Sequence, residues 1–199
     1  KMQEAIKCSG AILNYLSDTH HNKLGHITTI NPIINKTYVW LDKFTIRNLE
    51  LFRPNHFEGV SLIDVIDKTQ TAMGGRLLKR WMAFPLNKKT EIQNRHNSVK
   101  AFLKNEMCLE VVNSILVQIV DLERVMAKIA TEKITPRSLV QLKKSLDLIN
   151  PLKKELKSTK LEPLQLIGER LINSTNIIKM LGETLNPEAP VLLNKGDVI

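Results

Sequence analysis

The chain has 199 residues, 43% of them hydrophobic and 25% charged, with a formal net charge of +9. That hydrophobic share supports one substantial core and argues against wholesale disorder, and no apolar run reaches the ~18–20 residues needed to span a bilayer. Aromatics at 5% beside abundant Leu, Ile and Lys favour helices over a β-sandwich, and the basic balance favours polyanionic partners, nucleic acid first and acidic protein surfaces second.

An apolar period through Ala5, Cys8, Ile12, Leu13 and Leu16 predicts a helix over about residues 2–18, ended by the turn-forming "SDTHHNKLGH". This pattern is already running at Lys1, and the chain ends on the apolar pair Val198–Ile199, so the sequence reads as a segment of a larger polypeptide. "ITTINPIINKTYVWLD" is rich in β-branched and aromatic residues but interrupted by Pro32 and Asn35, which predicts a minor β element of one or two short strands near 27–41. "DKFTIRNLELF" returns to helix and "RPNHFEGV" is a loop. Ser61 with Asp64 forms a capping-box pattern for a short helix, and Thr71 caps a helix over 72–83 that Pro85 stops.

Helices follow over about 88–104 and 107–119. Asp121 caps a helix whose stripe is Leu122, Val125, Met126 and Ile129, and Thr135–Pro136 opens one with Leu139, Leu142, Leu146 and Ile149 on a face. Pro151 breaks or kinks that helix, with Asn150 able to recap it. A last long helix carries Leu164, Ile167, Leu171, Ile178 and Leu181 and ends at Gly182. The fold class is mainly α: an irregular multi-helix bundle of eight to ten helices.

Few residues suggest chemistry. Cys8 and Cys108 stand outside any motif spacing and read as reduced, buried thiols. The histidines are His20, His21, His26, His56 and His96, and no pair has the i, i+4 spacing of a helical metal site. Gly74 and Gly75 stand side by side in "TAMGGRLLKR", although Gly in a helix interior costs ~1 kcal/mol relative to Ala. A phosphate loop would need GxxxxGK followed by Ser or Thr after a strand, and neither is present, so close packing is the reading for the glycines. Arg76 and Arg80 share a helix face with Lys79 beside them, suited to a phosphate or a carboxylate. Trp40 and Trp81 read as core anchors.

Two stretches carry a family resemblance. "WLDKFTIRNLELF" and "SLIDVIDKTQTAMGGRLLKRWMAFPL" closely resemble the core domain of the MutS family of DNA mismatch-recognition ATPases. The matching positions are Leu41, Asp42, Thr45, Arg47, Asn48, Leu49 and Glu50, then Ser61, Leu62, Asp67, Thr69, Thr71, Met73, Gly74, Arg76, Leu77, Leu78, Trp81, Pro85 and Leu86. "DLERVMAKIA" and "TPRSLVQLKKSL" extend the match through Asp121 to Arg124 and through Pro136, Arg137 and Leu139. Phe44 and Ile46 depart from the pattern, which usually has a small and a polar residue there.

The resemblance implies a core helical domain over 1–160, a first lever helix region over 161–185, and a tail over 186–199 leading toward a clamp. It implies a mechanical role that couples an ATPase to DNA-gripping and mismatch-reading domains lying elsewhere. By this reading the segment is itself non-enzymatic and holds no cofactor; the full-length parent would use ATP and Mg, bind mismatched double-stranded DNA, form a homodimer and meet a MutL-type partner. The expected setting is cytoplasmic and nucleoid-associated, without a membrane. Gly74, Arg76, Trp81, Asp67, Thr71, Arg47 and Glu50 become structural or hinge candidates, and Lys79 and Arg80 candidate nucleic-acid contacts. Without its returning partner helix, the face of Leu164, Ile167, Leu171 and Ile178 is expected to be exposed or covered by a second copy. The alternative is an independent basic helical scaffold that binds nucleic acid nonspecifically.

Overall fold

The computed structural model describes residues 2–19, 24–25, 27–31 and 38–187. Among them the chain forms eleven helices: α1 (Gln3–Asp18), α2 (Lys43–Asn48), α3 (Leu62–Ile66), α4 (Ala72–Ala83), α5 (Lys89–Lys104), α6 (Glu106–Leu116), α7 (Leu122–Ala130), α8 (Pro136–Asp147), α9 (Ile149–Ser158), α10 (Glu162–Arg170) and α11 (Thr175–Thr184). The expected strands over 27–41 reduce, among the described residues, to one antiparallel bridge between Tyr38 and Leu86, with Val39 N donating to Pro85 O at 2.7 Å. Residues 32–37 lie outside the described residues, as do His20, His21, His26 and most of the 186–199 tail.

Local capping chemistry sets the helix starts. The Asp64 carboxylate accepts from the Ser61 amide and hydroxyl, while Thr71, Asn105, Asp121 and Thr135 each accept from a backbone N–H in the first turn of their helix. These bonds satisfy amides that the helix itself leaves without partners.

Two apolar clusters form the core. Ala101, Cys108, Val112, Ile115, Leu152, Leu156 and Leu164 bring α5, α6, α9 and α10 together. Val125, Leu142 and Leu181 bring α7, α8 and α11 together, with Leu122, Ile129, Leu139 and Leu146 packed around them. The fully buried Ser145 of α8 ties the segment before α7 to the second region: its hydroxyl accepts from Val120 N at 3.1 Å and donates to Gln141 O at 3.0 Å.

Five expectations change. Cys8 is exposed because no residue of α1 is buried, whereas Cys108 sits in the first cluster. Met126 is exposed, so the α7 stripe is Leu122, Val125 and Ile129. The break after α8 falls at Leu148, with Pro151 inside the first turn of α9; Asn150 does not recap it and instead accepts from Asn173 Nδ2 at 3.3 Å. The long last helix is two helices. The chain turns extended at Leu171, whose carbonyl takes a 2.7 Å hydrogen bond from Lys153 Nζ. This turn lets Leu171 pack on the first cluster and Leu181 on the second, and Gly182 lies inside α11 rather than ending it.

The fifth change concerns the lever face. Leu164 has no exposed surface, and Ile167 and Leu171 pack around it against α9 and α5. The chain itself covers Leu164, Ile167 and Leu171, whereas Ile178, now on α11, is partly buried and packs on neither cluster.

Candidate functional site

The turn from α3 into α4 is built from short-range hydrogen bonds. Asp67 Oδ1 accepts from Thr69 N at 3.0 Å and from Thr69 Oγ1 at 2.7 Å, an Asx-type turn that folds residues 67–71 back along the start of α4. Those two bonds, with the charges of Lys79 and Lys68, hold the Asp67 carboxyl below its ordinary value. Thr71 Oγ1 then accepts from Gly74 N at 2.9 Å.

Gly74 and Gly75 sit against this turn. A Cβ on Gly74 would lie 3.1 Å from Thr71 Oγ1 and 3.4 Å from Thr69 Cβ, and one on Gly75 would lie 3.2 Å from Thr69 Oγ1. The close approach is therefore to the chain's own preceding turn, not to a neighbouring helix.

One turn further on, Arg76 reaches across to the start of α7. Its NH1 and NH2 donate to the two carboxylate oxygens of Asp121 at 2.8 and 2.6 Å, and its Nε donates to Glu123 Oε2 at 2.7 Å. Asp121 also accepts from Arg124 N, so one carboxylate caps α7 and receives the guanidinium fork. The Arg76 hydrogen bonds pull the Asp121 pKa down to about 2 and push that of Arg76 up. Arg76 remains 41% exposed, so water and salt screen the pair.

Lys79 and Arg80 are exposed on α4, and neither forms an ion pair among the described residues. Trp81 is not a core anchor: the Arg95 guanidinium carbon lies 3.6 Å from its ring centroid, a cation–π contact between α4 and α5. The pair borders a groove of about 570 Å³ whose far wall is Leu166, Ile167 and Arg170 of α10. Trp40 is largely exposed as well.

Arg47 and Glu50 lie together at the end of α2, away from α4. Glu50 has φ +48°, a left-handed conformation that carries strain for a non-glycine residue. Hydrogen bonds hold it there: Glu50 Oε1 accepts from Asn55 N at 2.8 Å, Asn55 Nδ2 donates to Arg47 O at 3.4 Å, and Glu50 O accepts from Leu62 N at 2.9 Å.

Thus Asp67, Thr71 and Gly74 come together at the start of α4, Arg76 turns instead to Asp121 and Glu123, Trp81 faces α5, and Arg47 with Glu50 forms a separate corner. Sequence reasoning missed Glu123 and Arg95, which only the packing of helices brings within reach. Thr69 is already among the positions that carry the resemblance, and its bonds to Asp67 fit the turn signal of Asp followed two residues later by Thr. Among the described residues no group of three or more His, Cys, Asp and Glu side chains converges to hold a metal, and no helix is long and apolar enough to cross a membrane. The arrangement is a polar latch between helical units.

The MutS domain III family model matches residues 44–199. The chain belongs to the MutS domain III family. The DNA mismatch repair proteins MutS of Flavobacterium psychrophilum and Flavobacterium johnsoniae are each 45% identical over 199 residues, covering all of this chain and 23% of the relative. MutS of Bacteroides fragilis is 42% identical over 198 residues, again across 23% of its length. The chain thus spans about a quarter of the length of these relatives. The Arg76 latch, the Asp121 cap and the Gly74 turn all fall inside the matched MutS domain III region.

Proposed function

We propose that this domain III acts as a mechanical coupler in a MutS-type mismatch repair ATPase, passing nucleotide state to DNA grip and back. The supporting observation is how α4 is held. Arg76 joins it to the start of α7, and Arg95 over Trp81 joins it to α5. Both contacts are polar and partly exposed, so they can be exchanged at low cost, whereas the clusters under α5–α11 are apolar and move as units. Coupling needs an element with two available arrangements that both sites bias, and on this reading that element is α4 with its Asp67–Thr71 turn. On this reading Gly74, Arg76, Asp67, Thr71, Trp81, Arg47 and Glu50 are packing and hinge residues. Lys79 and Arg80 supply backbone-phosphate contacts, and ATP and Mg, mismatched duplex, a second subunit and a MutL-type partner are engaged by other parts of the assembled protein.

The test is a chimera in which this chain replaces the matching segment of Flavobacterium psychrophilum MutS. The chimera is expected to keep mismatch-stimulated ATP hydrolysis and ATP-driven DNA release, and Arg76→Ala in it is expected to leave basal hydrolysis and DNA binding while weakening their mutual dependence. Undiminished coupling in the Arg76→Ala chimera would overturn the role given to the latch. The 199-residue chain alone should hydrolyse no ATP and bind duplex weakly, without sequence preference and with steep salt dependence. Tight mismatch-selective binding by the chain alone would overturn the coupler reading.

A further inference from the structure

We propose that the concavity at the α2 corner docks an acidic segment of a partner protein, one that places carboxylates on either side of an apolar side chain. Three cations, Lys43, Arg47 and Arg53, line a hollow of about 470 Å³, and Ile46, Phe52 and Pro54 give it apolar walls. Among the described residues none of the three forms an ion pair. Of the acids in this stretch, Glu50 accepts from the Asn55 amide and Asp42 caps α2 through Thr45 N, and neither they nor the exposed Glu58 forms an ion pair with the three cations among the described residues. Three positive charges around one small hollow repel each other, and an incoming pair of carboxylates relieves that.

The corner is also shaped in advance. Glu50 is held at positive φ by its bond to Asn55, and Asn55 is held by Arg47 O, so the loop that carries Arg53 and Pro54 is fixed over α2 before any ligand arrives. Lys43 and Arg47 are one helical turn apart on α2 and project to the same side. Phe44 at 74% exposure, Leu49 and Phe57 are further exposed apolar side chains of the same chain segment, though none of them lines the hollow. Nucleic acid backbone fits this chemistry less well, because its sugar offers less apolar surface than an aliphatic side chain to fill the walls of Ile46, Phe52 and Pro54. This inference stands apart from the coupling role and does not depend on it.

The experiment is fluorescence anisotropy of the 199-residue chain with a short fluorescein-labelled peptide of Asp and Glu residues with single Leu residues between them. Saturable binding is expected. Arg53→Glu and Lys43→Glu should each weaken it by about tenfold or more, while Lys154→Glu, an equal charge change on exposed α9 surface, should alter it by less than about twofold. Replacing the peptide's Leu residues by Gly should also weaken binding. Far-UV circular dichroism checks each variant, and either charge reversal that folds decides the matter. An equal loss with Lys154→Glu, indifference to the Leu-to-Gly change, or no saturation at millimolar peptide would overturn the proposal. Displacement of the peptide by a short duplex whose own binding is abolished by the same two reversals would reassign the hollow to nucleic acid.

Discussion

Replacing Gly168 by Ala is expected to destabilise the protein, against the general rule that Ala is the better helix residue. Gly168 is a buried position of α10, one turn after the fully buried Leu164, where α10 crosses α9. A Cβ there would lie 3.0 Å from Lys157 Cγ, 3.1 Å from Leu156 Cβ and 3.3 Å from the backbone oxygen of Lys153. Ordinary carbon contacts are about 3.5–4.0 Å, so the helices must part by roughly half an ångström. Two of the three atoms are fixed by the α9 backbone, and retreat of α10 also stretches the Lys153 Nζ bond to Leu171 O. Overpacking of this kind costs about 1–3 kcal/mol, against a propensity gain of about 1 kcal/mol. The net is about 1 kcal/mol of destabilisation, or roughly 2–4 °C in Tm for a chain of this size.

Gly182→Ala in α11 is the internal control. Its added carbon would meet Lys143 Cε at 3.0 Å, the movable end of a long side chain, so about 0.5–1 kcal/mol of stabilisation is expected. Urea unfolding followed by tryptophan fluorescence and circular dichroism measures both, with equal m-values required for the comparison. If Gly168→Ala is as stabilising as Gly182→Ala, the close-crossing argument is refuted.

Gly74→Leu should lower Tm with no ligand present, since its side chain would press on the capping Thr71 hydroxyl and on Thr69; an unchanged melting temperature would dispose of that packing account. The Asp121 pKa is lowered from 3.8 to about 2, so its contribution to stability is complete above the unfolded value and is lost as pH falls toward about 2. Urea midpoints of wild type and Asp121→Asn should therefore converge between pH 5 and pH 2, and a gap independent of pH would mean the carboxylate charge is not what holds Arg76.

Much of the fold was readable because its signals are local. Ser61 with Asp64, Thr71, Asp121 and Thr135 cap helices at the positions their spacing requires, and the α4 range of 72–83 follows from a cap at one end and Pro85 at the other. The failures share a cause. The period from Leu164 to Leu181 is continuous in sequence, but the chain turns at Leu171 because the two ends of that period belong to different apolar clusters. Trp40, Trp81, Met126 and Cys8 have apolar side chains at helical or strand spacing, yet burial depends on whether another element arrives to cover them.

The candidate site divides the same way. Asp67, Thr71 and Gly74 interact within seven residues of one another, and the family resemblance marks them directly in the sequence. The partners of Arg76 are 45 and 47 residues away, and Arg95 meets Trp81 only after α4 and α5 have folded back on each other.

By itself the sequence determined the helical class, the caps, the MutS domain III membership and the presence of a basic, glycine-started helix at 72–83. The tertiary structure decided that Leu164, Ile167 and Leu171 of the lever face are covered within the chain, that the glycines pack on their own turn, and that Asp121 serves both a helix end and a guanidinium. Capping and periodicity act over a few residues and are written in the order of the letters. Burial and ion pairing depend on distances between segments that only the packed chain sets.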